Sequence, residues 1–120
     1  MNEFLKSFSC AWRGMRTSIE EQKNLKIQLL AALITIGAGL YFRISSFDWC
    51  VVLLTIALVI GLEIINSAIE DLVNLVTTER KPLAGKVKDM AAGAVLFVSL
   101  VALVIGIVVF GKYITPESVF

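Results

Sequence analysis

Apolar residues dominate three stretches of the chain: Ile27 to Phe42, Trp49 to Leu62 continuing toward Val76, and Met90 to Phe110. Each approaches or exceeds the roughly 20 apolar residues that cross a bilayer as a helix. The predicted spans are residues 27–43, 49–76 and 90–111. Residues 1–24 follow another rhythm. Phe4, Phe8, Ala11, Trp12, Met15 and Ile19 recur every three or four positions, with Lys6, Arg13, Arg16 and Glu20 on other faces. That pattern predicts an amphipathic helix lying along a lipid surface. The expected fold is therefore an all-α membrane protein, residues 1–120 forming one domain of a surface helix and three transmembrane helices.

Composition agrees, with 58% hydrophobic residues and a mean hydropathy of +0.84. No secretory signal peptide is predicted, because more than twenty polar and charged positions precede the first span and no small-residue cleavage pattern follows it. The net charge of +1 is uninformative, but its distribution is not. Lys6, Arg13, Arg16, Lys23 and Lys26 precede the first span and Arg80, Lys81, Lys86 and Lys88 separate the second from the third. The opposite side carries only Arg43 and Lys112, so the amino terminus and the second loop are expected in the cytoplasm.

Three thin spans enclose little core, and small residues stand at helix-packing intervals in Ala31-Thr35-Gly39, Ala57-Gly61 and Ala102-Gly106. An oligomer is the expectation. Cys10 and Cys50 fall on opposite sides of this topology and are expected to be free thiols. The absence of histidine excludes histidine metal sites and every Ser-His or Cys-His nucleophile.

The candidate chemistry lies where polar residues enter an apolar helix. Glu63, Asn66, Ser67, Glu70 and Asn74 share one stripe of the second span, with Asp71 beside it. A carboxylate in a bilayer costs a few kcal/mol or more and is seldom kept without a task. If Trp49 marks the outer interface, Glu63 lies about a turn and a half below the cytoplasmic surface and Glu70 near or above it. A lipid headgroup and a cytosolic phosphate donor can meet along such a stripe. Gly85-Lys86 is not a phosphate loop, since the earlier glycine and the following Ser or Thr are missing.

The blocks Glu63-Ile-Ile-Asn66-Ser-Ala-Ile-Glu70 and Ala84-Gly-Lys86-Val-Lys88-Asp89-Met-Ala-Ala-Gly-Ala94-Val-Leu, with Trp12-Arg-Gly14 upstream, resemble the signature of the prokaryotic diacylglycerol kinases. These are small bacterial integral-membrane lipid kinases that include undecaprenol kinases. The resemblance covers nearly the whole chain. It implies a homotrimer in the bacterial inner (cytoplasmic) membrane, with active sites shared between subunits and facing the cytoplasm, and ATP-dependent phosphorylation of the hydroxyl of a membrane lipid alcohol. It implies Glu63 as general base, Asn66 as an amide in the site, Glu70 as a ligand of the Mg2+ bound with ATP, and Lys88 and Asp89, with Lys86, near the nucleotide. These types suit the reaction: a lipid hydroxyl needs a base, and cations neutralise charge on the transferring phosphoryl group.

Two positions depart from the family pattern. A second metal-binding glutamate is usual at the end of the surface helix, in a pattern like Glu-Glu-Arg-Asn, and Gln22 stands there, which leaves adjacent Glu21 or the Gln22 carbonyl as the substitute ligand. Asn74 replaces an acidic residue of some members. Asn24-Leu-Lys-Ile-Gln28 and the block from Leu83 resemble the undecaprenol branch, although histidine is frequent there at the position of Gln28. Undecaprenol is the favoured substrate and diacylglycerol, giving phosphatidic acid, the alternative. A non-catalytic helix-packing subunit needs only the polar stripe, and the Lys88-Asp89 block argues against it. No nucleic-acid partner is expected.

Overall fold

The computed structural model of the chain describes residues 2–115; Met1 and residues 116–120, the two ends of the expected domain, lie outside the described residues. Four helices follow one another: α1 (Glu3–Glu21), α2 (Lys23–Phe42), α3 (Ser46–Val76) and α4 (Pro82–Ile114). α2, α3 and α4 are each long and apolar enough to cross a membrane. At 1.5 Å per residue the 31 residues of α3 reach about 46 Å, well beyond a hydrocarbon layer of about 30 Å. Its last turns therefore stand clear of the lipid tails and can carry charge.

Local chemistry sets the helix ends. Asn2 caps α1 by accepting the amide of Leu5 at 2.9 Å, and Ser45 caps α3 by accepting that of Asp48 at 3.1 Å. α1 and α2 are separated by a single extended residue, Gln22, with φ −103° and ψ 113°. Lys23 and Asn24 thus open the first span rather than close the surface helix. α4 begins at Pro82, earlier than the expected span at residue 90, and the connecting loop shortens to residues 77–81. Proline is compatible with a first helical position because its missing N–H would have no helical acceptor there. Gly85 continues the helix with no side chain or backbone close to it.

α2 and α4 both pack on α3. The described chain measures 55 × 44 × 19 Å, a slab too thin to enclose a large interior. Its buried apolar cluster, Ile44, Val52 and Val109 with Phe42, Trp49 and Phe110 against it, lies at the end remote from Glu63. Gly39 belongs to this end: a Cβ there would stand 2.7 Å from the Trp49 indole, so only glycine lets α2 come this close. The small residues elsewhere make no such approach, since Gly61 and Gly106 have nothing within 4 Å. The apolar stripe of α1 stays open, with Phe4, Phe8 and Trp12 exposed, as a helix lying on lipid requires. Cys10 and Cys50 are both free.

The remote end also holds an ion pair between the buried Asp48 and the exposed Lys112. Lys112 Nζ of α4 donates to both Asp48 oxygens at 3.1 Å. Tyr113 donates its hydroxyl proton to Asp48 Oδ2 at 2.7 Å and accepts the Ser45 amide at 2.9 Å. Asp48 is only 3% exposed, so removing its carboxylate strips partners from groups that cannot all reach water. Asp48→Ala is expected to cost roughly 2–4 kcal/mol of stability, and Tyr113→Phe about 1–2 kcal/mol. Thermal unfolding in detergent checks this: an unchanged midpoint in Asp48→Ala would show that the pair contributes nothing.

Candidate active site

α3 alone positions the acidic stripe. Glu63, Asn66 and Ser67 are 4%, 7% and 5% exposed, so the stripe faces protein rather than lipid over its first turns. It opens at Glu70, which is half-buried, and Asn74 and Asp71 are exposed. Counting 1.5 Å per residue from Ser46, Glu63 lies about 26 Å along α3 and Glu70 about 36 Å, inside and outside a hydrocarbon layer of about 30 Å. The two carboxylates are thus separated by about 10 Å along the helix axis.

Asn66 donates through Nδ2 to Glu70 Oε1 at 3.4 Å. This orientation is the one a carboxylate dictates, because the amide oxygen would be repelled. Asn66 Oδ1 is left buried without a donor. The Ser67 hydroxyl donates to the Glu63 carbonyl oxygen at 3.0 Å, a bond within its own helix that leaves it little part in the site.

Lys88 reaches the stripe from α4, donating to Asn74 Oδ1 at 2.7 Å. The same end carries an open polar cavity of about 590 Å³ lined by Asn74, Thr77, Arg80, Gly85 and Lys88. Its volume is that of a small-molecule site. Lys86 and Asp89 are exposed and make no hydrogen bond or ion pair among the described residues. The shortened loop explains why Lys88 and Asn74 meet: with α4 helical from Pro82, Lys88 lies about two turns into the helix, level with the end of α3.

Glu21 is exposed at the last position of α1, Gln22 half-buried at the corner after it. No hydrogen bond joins either side chain to Glu70, and the described residues include no cluster of three or more Asp, Glu, Cys or His suited to a metal. What does fit a hard divalent cation is the half-buried Glu70 carboxylate, an oxygen donor of the type such ions take. The Asn66 amide turns its N–H toward this carboxylate and its Oδ1 away from it.

One neighbour of Glu63 was not singled out as a site residue from the sequence. Gln28 of α2 lies beside the Glu63 carboxylate, and its Oε1 is buried without a donor. A signal existed, since Gln28 is the one amide or charged side chain in the apolar run from Ile27 to Phe42. From Gln28 a cavity of about 350 Å³ extends between α2, α3 and α4, past Val59, Ile60 and Ala102 toward Phe110. Its hydroxyls are partly spent, Thr35 and Thr55 donating to carbonyls of their own helices at 2.8 and 2.7 Å. The cavity is therefore mostly apolar, and Gln28 is the lining residue that lies near Glu63.

A buried carboxylate, an apolar cavity between the long helices and a polar-lined cavity at the end of α3 thus lie along one helix bundle. The sequence model described as prokaryotic diacylglycerol kinase matches residues 9–110. The undecaprenol kinase of Bacillus subtilis (strain 168) is 34% identical over 110 residues, 92% of this chain and 89% of that protein. The diacylglycerol kinase of Escherichia coli (strain K12) is 27% identical over 100 residues, 83% of this chain and 82% of that one. The diacylglycerol kinase of Helicobacter pylori (strain ATCC 700392 / 26695) is 35% identical over 105 residues, 88% of this chain and 73% of that one. With a family match over most of its length and three helices able to span a bilayer, this chain belongs to the prokaryotic diacylglycerol kinase family of membrane lipid kinases.

Proposed function

We propose that the protein transfers the γ-phosphoryl group of ATP to the hydroxyl of undecaprenol at the cytoplasmic face of the bacterial inner membrane. The observation that carries this reading is Glu63: a carboxylate only 4% exposed on a helix apolar and long enough to span a membrane. The similarity to the Bacillus subtilis undecaprenol kinase over most of both chains supports the choice of lipid. Diacylglycerol is the second reading, supported by the relatives that carry that name.

In this reaction the Glu63 carboxylate takes the proton of the lipid hydroxyl as its oxygen attacks phosphorus. Lys88, with Asn74 steering its ammonium, supplies a point charge to the phosphates, with Lys86 and Asp89 nearby. Glu70, its carboxylate steadied by the Asn66 N–H, would hold the Mg2+ that accompanies ATP. Such an ion, when bound, neutralises charge on the phosphates and orients them for in-line transfer. Glu21 and Gln22 remain candidate ligands across the α1–α2 corner. A homotrimer with sites shared between neighbours suits a slab 19 Å thick whose Glu21 joins no cluster of carboxylates among the described residues.

The test is phosphate transfer by purified protein with ATP and magnesium to undecaprenol and to diacylglycerol in one assay. Undecaprenol is expected to be phosphorylated with the higher kcat/KM. Preference for diacylglycerol would transfer the assignment to the second reading, and folded protein that phosphorylates neither would overturn both.

A further inference from the structure

Glu63 must hold one position in two chemical forms, as a carboxylate before transfer and as a carboxylic acid after it. The balance is simple. The lipid oxygen forms a bond to the γ-phosphorus, the bond from that phosphorus to the bridging oxygen breaks with its electron pair leaving on ADP, and the hydroxyl proton passes to Glu63. A carboxylate only accepts hydrogen bonds, whereas the acid has a proton to donate. A neighbour that stabilises one form through a donor alone leaves the other form with a buried, unpaired group, which is destabilising.

Gln28 is the α2 side chain within interaction range of this carboxylate, with no direct hydrogen bond between the two in this structure. It offers N–H donors and a carbonyl acceptor on one planar group, and its Oε1 is buried with no donor among the described residues. Buried acceptors without partners are rare enough to need an explanation. No hydroxyl of the surrounding cavity donates to this oxygen: Thr35 and Thr55 are directed to carbonyls of their own helices, and Ser99, which also lines the cavity, makes no hydrogen bond to Gln28. Besides Gln28, the titratable group acting on Glu63 is Glu70, on the same helix, which has no donor to give. The donor that the reaction itself creates at this place is the proton arriving on Glu63.

We propose that Gln28 is a positioning residue for the base, donating from Nε2 to the Glu63 carboxylate before transfer and accepting the Glu63 O–H at Oε1 after it. The inference rests on Glu63 as the base. It assigns Gln28 no contact with ATP and no part in holding the metal.

Gln28→Met keeps the length of the side chain and removes both functions. Turnover is expected to fall roughly ten- to a hundredfold, as for loss of one hydrogen bond to a charged group, while KM for the lipid and for ATP stays within about twofold. Gln28→His restores a donor and an acceptor and is expected to recover most of the turnover. In a Glu63→Gln background Gln28→Met should lower the residual rate no further, because the two side chains act as one unit. Should Gln28→Met not fold, as judged by circular dichroism in detergent, Gln28→Ala carries the same expectation. Unchanged turnover, a raised lipid KM at constant kcat, or a full further loss in the Glu63→Gln background would each overturn the proposal. Near-normal turnover of Glu63→Gln alone would instead overturn the base assignment, so the two failures are distinguishable.

Discussion

Glu63→Gln is expected to lower turnover by about 100- to 10,000-fold while leaving ATP binding nearly intact, the loss typical of removing a general base. Glutamine fills the same volume and can still hydrogen-bond, so packing around this buried position is kept. What disappears is the capacity to accept a proton. ATP affinity is spared because Glu63 is seven residues, about 10 Å along the helix, from Glu70 and deeper than the polar cavity beside Lys88. Steady-state turnover with saturating lipid, together with the KM for ATP, separates the two effects. A variant that turns over near normally would reassign Glu63 to helix packing.

Glu70→Ala and Lys88→Ala should show the opposite signature, a weakened productive complex with metal and ATP. Glu70 provides a hard oxygen at the level of soluble ligands, and Lys88 provides a compact positive charge. Charge-assisted contacts of this kind contribute about 1.5–3 kcal/mol, so KM for ATP is expected to rise roughly ten- to a hundredfold. For Glu70→Ala the rise should be partly relieved by more magnesium. Lys88→Ala should show no such relief, since its loss is of charge rather than of a ligand. Oligomeric state by size exclusion should change little in either variant. Subunits that separate yet keep their affinity for ATP would show that the residue only joins helices.

The polar stripe was legible because a helix repeats every 3.6 residues and lipid makes each buried carboxylate conspicuous. The spans were legible for the same reason: hydropathy is summed locally. The start of α4 was not. The apolar run places the third span from residue 90, yet proline fits the first turn of a helix, and the two extra turns from Pro82 bring Lys88 level with Asn74 at 2.7 Å. The Gln22 corner was equally hidden, because a one-residue break leaves no run of turn-forming residues behind.

The sequence by itself determined the class of the protein: an amphipathic helix, three apolar spans, and two polar blocks whose spacing carries the family resemblance. All of these depend on residues within a few turns of one another. Only the tertiary structure decided which distant side chains meet. Asp48 and Lys112 pair across 64 positions of the chain, at the end away from the site, and Gln28 of α2 comes to face Glu63 of α3. Charge or polarity marks such residues as costly to bury, but the pairing that offsets the cost follows from how α2 and α4 settle on α3, and periodicity along one helix holds no information about its neighbour's register.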